Sequence, residues 1–170
     1  MSEGGVATNN GVDAESSVLL YVEDLPVGFT QELGSFVLSQ DEMIEFASRW
    51  DPAPIHVDPE VAARSFFGGI IATGLHTLSA VTRLQYDGVI SKVAMIGGRE
   101  VSFRMPRPVR PDERIEVRTS VTEQRDSRRD DHGIVVFTGE AINPAAAVVM
   151  IATFEVVVQR RRPLASTDGS

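Results

Sequence analysis

Four runs of alternating apolar residues fill the C-terminal half of the chain, and they follow a block that reads as helical. Val101, Phe103 and Met105 alternate with Ser102 and Arg104, and Ile115, Val117, Thr119 and Val121 alternate with Glu116, Arg118 and Ser120. Val135, Phe137 and Gly139 form a third run, and a long fourth one spans 148–158. Period-two alternation is the signature of strands with one covered face. Val148, Val149, Met150 and Ile151 are apolar in succession, which predicts an interior position for the last strand. Strands in series behind a helical block predict an α+β domain with an antiparallel sheet.

The helical block is punctuated clearly. Ser39-Gln-Asp-Glu42 is a capping box. Met43, Ala47 and Trp50 follow at helical spacing and predict one apolar face. Pro52 and Pro54 end that helix, so the spacing predicts a stiff loop over 51–56. Asp58-Pro59 opens another short helix, with Asp58 as N-cap. After the Phe66-Phe67-Gly68-Gly69 break, a longer helix begins at Ile70 or Gly74 and runs to about Tyr86. Ile70, Ile71, Leu75, Leu78, Val81 and Leu84 make it apolar around much of its girth, which predicts burial.

A chain of 170 residues with 42% hydrophobic content fits one domain with a real core. We assign that domain to 18–159, with polar tails at 1–17 and 160–170. The net charge of -8 argues against a nucleic-acid partner or an anionic membrane surface. Cysteine is absent, which removes disulfides, thiolate nucleophiles and Cys-type zinc sites. No run approaches the length of a membrane span, and the first residues lack the pattern of a leader. The expectation is a cytoplasmic protein.

Asp51 and His56, five apart in a segment with two prolines, are the candidate chemical groups. Acid–base catalysis needs groups that titrate near working pH and are held within reach of a shared proton. Prolines lower the entropy lost in holding them. The residues alone leave a second reading open, with Asp51 a turn residue and His56 a half-buried histidine bonded to backbone. His76 reads as a core or interface histidine, and His132, in Asp130-Asp131-His132-Gly133, as a turn residue. No metal site is expected. Arg104, Arg107 and Arg110 form a basic stretch that reads as a solvated loop or as a phosphate contact.

Phe46-Ala-Ser-Arg-Trp-Asp51-Pro-Ala-Pro54-Ile-His56-Val-Asp58-Pro59 resembles the signature of the MaoC-like dehydratases, which include (R)-specific enoyl-CoA hydratases. The similarity begins near Glu23-Asp24-Leu25-Pro-Val-Gly28 and continues through Phe67-Gly-Gly-Ile-Ile-Ala-Thr-Gly74 and Val101-Ser-Phe-Arg-Met-Pro-Arg-Pro-Val109-Arg-Pro111. The resemblance implies a hot-dog fold, an antiparallel sheet wrapped around a long helix. It implies a homodimer or higher homo-oligomer acting on an acyl-CoA or acyl-carrier-protein thioester, without metal or redox cofactor.

By the same resemblance Asp51 and His56 are the catalytic pair, activating water for addition at C3 of a trans-2-enoyl thioester. Gly74 binds the substrate at the helix N-terminus, or serves a tight helix–sheet contact. Thr82 lies near a position where some members carry a supporting serine. Two residues depart from the pattern. Trp50 replaces a glycine and is either a ring near the acyl pocket or the last core residue of its helix. Ala53 replaces an asparagine that helps orient the loop. A hot-dog thioesterase and a non-catalytic acyl-thioester-binding subunit are the competing functions.

Overall fold

The computed structural model describes residues 19–161. The strands are β1 (Thr30–Phe36), β2 (Met95–Arg104), β3 (Ile115–Asp126), β4 (His132–Ile142) and β5 (Val148–Gln159). They form one sheet in the order β1-β3-β4-β5-β2, and every pairing is antiparallel. The α+β hot-dog reading therefore holds. β5 lies inside the sheet, as its run of apolar residues predicts, while β2 forms an edge.

The capping box at Ser39 closes as expected, with the Ser39 hydroxyl accepting from the Glu42 amide and Glu42 accepting from the Ser39 amide at 2.8 Å. It starts α1 (Gln40–Trp50), which buries Met43 and Ala47. The third member of that face departs from expectation. Trp50 is 60% exposed, with the Arg49 guanidinium 4.8 Å above its ring. One turn of helix past Ala47 the chain has already left the core, so the ring is neither a core residue nor part of the cleft described below.

The 51–56 segment also differs from a plain loop. Pro54–Val57 form one helical turn, α2, with Pro54 at its first position. Proline cannot continue a helix, but its fixed φ and missing donor suit the first turn of one. Asp58 then caps α3 (Pro59–Arg64), accepting from the amides of Glu60 and Val61 at 2.9 and 3.0 Å.

The long helix α4 (Gly74–Gly88) starts at the second of the two positions the sequence allows. Ile70 and Ile71 are buried in the extended segment before it. Thr73 caps it, accepting from the His76 amide at 3.0 Å. The helix packs on β1, β3, β4 and β5 and buries one face, Thr77, Val81 and Gln85. Burial around the whole girth is not observed, because Leu75 and Tyr86 are half exposed on the opposite side. The sheet encloses a helix along one stripe only.

Arg160 and Arg161 remain attached to the fold. Arg160 pairs with Asp126 at 2.6 Å, and the Arg161 amide donates to Glu23 at 3.0 Å. The assigned tails at 1–17 and beyond Arg161 lie outside the described residues.

Gln85 is 2% exposed, and neither atom of its carboxamide has a partner among the described residues. Its amide nitrogen faces Gly139, where a methyl group would lie 3.0 Å away. An unsatisfied buried polar group costs about 1–3 kcal/mol. Gln85→Met keeps the shape and removes the penalty, so we expect a thermal midpoint higher by about 2–4 °C per kcal/mol recovered. A lower midpoint would show that the carboxamide finds a partner in solution.

Candidate functional site

Asp51 and His56 meet because a helix end and a helical turn adjoin. Asp51 is the C-cap of α1, and its amide donates to the Ala47 carbonyl at 2.8 Å. Its own carbonyl accepts from Ala53, and the Ala53 carbonyl accepts from His56, both at 2.8 Å. This chain of local bonds folds the six residues from Asp51 to His56 back on themselves. It leaves His56 Nε2 4.0 Å from a carboxylate oxygen of Asp51. The imidazole is mostly covered, while the carboxylate is 43% exposed.

A second bond sets the chemistry of the ring. His56 Nδ1 lies 2.8 Å from the Ile71 carbonyl oxygen. A carbonyl only accepts, so Nδ1 carries the proton. In the neutral ring Nε2 then holds the free lone pair and faces Asp51. The 4.0 Å gap is wide for a direct bond and suited to a bridging water.

Both groups line a cleft of about 430 Å³, a volume within the usual range for small-molecule sites. Ile55, Phe67, Ile71, Val109 and Val149 give it apolar walls, and Phe66 at its rim is 99% exposed. Gly74 and Thr77 of α4 form part of the same surface. Thr73 takes up the third amide of α4, whereas the amides of Gly74 and Leu75 have no acceptor among the described residues. Gly74 thus brings the positive end of a helix to the cleft surface, a setting that favours developing negative charge.

The other sequence candidates are distributed as follows. Thr82 is exposed, donates to the Leu78 carbonyl at 2.8 Å, and lies outside the cleft. Thr77, one turn closer to the helix start, is the α4 hydroxyl that lines it. Neither periodicity nor resemblance indicated Thr77; the burial stripe through Val81 would have. His76 stacks on Phe46 with ring centroids 4.4 Å apart, and burial pushes its pKa down despite the nearby Glu42. It serves packing. His132 opens β4 and bonds Asp131 at 2.7 Å. Of the three arginines only Arg107 lines the cleft, donating to the Val148 carbonyl at 3.2 Å. Among the described residues no group of three or more His, Asp or Glu could hold a metal.

Comparison with known proteins identifies the family and the fold. The family described as MaoC like domain matches residues 24–142. An uncharacterized protein of Bacillus subtilis (strain 168), YdeM, is 26% identical over 140 residues, covering 82% of this chain and 99% of its own. A 3-hydroxybutyryl-CoA dehydratase of Methylorubrum extorquens is 35% identical over 112 residues, 65% of this chain and 69% of that protein. The crystal structure of a MaoC-like dehydratase from Rhodospirillum rubrum superposes with a TM-score of 0.75 at 33% identity, covering 85% of this chain and 99% of that one.

Ala53 is the N-cap of α2 and offers no side-chain bond. The amide of Ile55 is within reach of a capping side chain there, because N-cap oxygens accept from the second or third helical residue. We expect Ala53→Asn to stabilise the protein by about 0.5–2 kcal/mol in urea unfolding. An unchanged midpoint would mean that α2 is held by His56 and its neighbours alone.

Proposed function

The chain belongs to the MaoC-like dehydratase family, and we propose that it hydrates trans-2-enoyl thioesters or dehydrates (R)-3-hydroxyacyl thioesters. The observation that carries this reading is the His56–Ile71 bond, which aims the free Nε2 lone pair at Asp51 inside an apolar cleft. A water between Nε2 and the Asp51 carboxylate meets two acceptors. It donates both protons and turns an oxygen lone pair outward.

In the hydration direction that oxygen attacks C3 while His56 Nε2 takes a proton. The π electrons of C2=C3 move toward the thioester carbonyl. Charge collects on the carbonyl oxygen, where the amides of Gly74 and Leu75 stabilise it. The proton held by the Asp51/His56 pair then passes to C2. One O–H bond breaks, one C–O and one C–H bond form, and both groups regain their starting state. Dehydration runs the same steps backward. The acidic Asp51 assists by holding the imidazolium that forms transiently.

We further propose that the working unit is a homodimer joined through β2. That edge carries the exposed apolar residues Met95, Ile96 and Val101. An unpaired edge of this kind invites pairing with another chain. The substrate is an acyl-CoA or acyl-carrier-protein thioester, a reading supported by the 3-hydroxybutyryl-CoA dehydratase relative. No helix among the described residues is long and apolar enough to cross a membrane.

With crotonyl-CoA we expect loss of the conjugated-thioester absorbance without release of free thiol. Thiol release would instead mark a thioesterase, and binding without either change a non-catalytic subunit. Asp51→Asn and His56→Ala should each lower kcat by about 10²- to 10⁴-fold with the fold retained. An active His56→Ala protein would remove the mechanism. Light scattering should give twice the chain mass, falling toward one chain mass when Ile96→Lys and Val101→Lys are combined.

A further inference from the structure

Gly74 lines the cleft, but the space where a side chain would stand on it is already taken. A methyl group placed on it would coincide with the thioether sulfur of Met105, lie 2.7 Å from the Met105 terminal carbon and 3.3 Å from the Phe103 ring. The space beside the first residue of α4 is therefore filled by a side chain from the far wall. Met105 follows the last residue of β2 and precedes Pro106, and it lines the same cleft as Asp51, His56 and Thr77. Proline restricts the backbone of the residue before it. The adjustable part of Met105 is then its unbranched side chain, which is 54% exposed at residue level and rests against the glycine.

The location matters because of the path a thioester must take. A carbonyl oxygen directed at the Gly74 and Leu75 amides, with C3 facing Asp51 and His56, carries C2 across the Cα of Gly74. This placement rests on the thioester reading above. A hydrogen on C2 passes beside the Met105 thioether. A methyl substituent on C2 meets it, with Phe103 blocking retreat on one side.

We infer that Met105 is a specificity-determining residue, which admits thioesters unsubstituted at C2 and discriminates against those bearing a C2 branch. Its chemistry suits the task. Methionine is flexible and polarizable, so it moulds to a slim acyl chain without leaving a void. It loses contact surface when a branch displaces it. Discrimination by one methyl group against a packed apolar wall is about 10- to 200-fold.

The test uses the full-length protein and compares Met105→Ala with Met105→Leu. Turnover of crotonyl-CoA and of 2-methylcrotonyl-CoA is measured by loss of enoyl-thioester absorbance. Met105→Ala should shift the ratio of kcat/KM toward the branched substrate by about 10-fold or more. Met105→Leu keeps the bulk and should leave that ratio near its original value. Equal falls on both substrates in Met105→Ala would reduce Met105 to a packing residue and overturn the inference.

Binding of butyryl-CoA and 2-methylbutyryl-CoA, which cannot be hydrated, is measured by calorimetry on the same proteins. Those affinities should shift in the same direction by a similar factor. This arm works without turnover. A protein that hydrates nothing but changes its branched-to-unbranched affinity ratio in Met105→Ala would refute the hydratase reading and keep the gate. A protein that hydrates crotonyl-CoA with an unmoved ratio would do the reverse.

Discussion

A short extended stretch, Ile71 to Thr73, holds the site together. The Ile71 carbonyl accepts from His56, the Ala72 amide donates to the Val109 carbonyl at 3.0 Å, and Thr73 caps α4. Three consecutive residues thus tie the α2 turn, the loop after β2 and the start of the central helix to one another. Each of those elements contributes a different part of the cleft. Movement of any one strains a partly buried hydrogen bond, and such bonds are costly to leave unmade. The site's geometry follows from this junction more than from any property of Asp51 or His56 alone.

The junction also gives the two side chains different surroundings. Here the ring is mostly covered and the carboxylate half open, from residues five apart. Helix α1 delivers Asp51 at a frayed, solvated end, and α2 turns His56 inward beneath it. A single continuous helix could not do this, since residues five apart on one helix point to different faces. The break introduced by Pro52 and Pro54 is what makes the pair possible.

Much of this was legible in the residues. Alternation in the four C-terminal runs specified an antiparallel sheet, and the unbroken apolar start of β5 marked an interior strand. Caps at Ser39 and Asp58 were read directly from local chemistry, because a cap depends on residues three or fewer apart. What escaped the sequence was long-range or one-sided. Trp50 continued an apolar spacing but emerged into solvent, since spacing gives direction and not depth. Leu75 made α4 look enclosed all round, although only the Thr77–Val81–Gln85 stripe is fully buried, with Leu78 and Leu84 partly covered beside it. Thr77 and Met105 entered the cleft through contacts between elements far apart in the chain. Neither carries a local signal of its role.

The two departures from the family pattern weigh less in the structure than in the sequence. Trp50 stands outside the cleft beneath Arg49, so replacing glycine there adds no wall to the cleft. Ala53 removes a cap from a helix of one turn, yet that turn retains Pro54 at its start and the Asp58 amide bonded to the Pro54 carbonyl at 3.0 Å. Its neighbour His56 is anchored from outside, by Ile71. A missing cap of about 1 kcal/mol lowers stability; it does not rotate a ring pinned by a separate hydrogen bond.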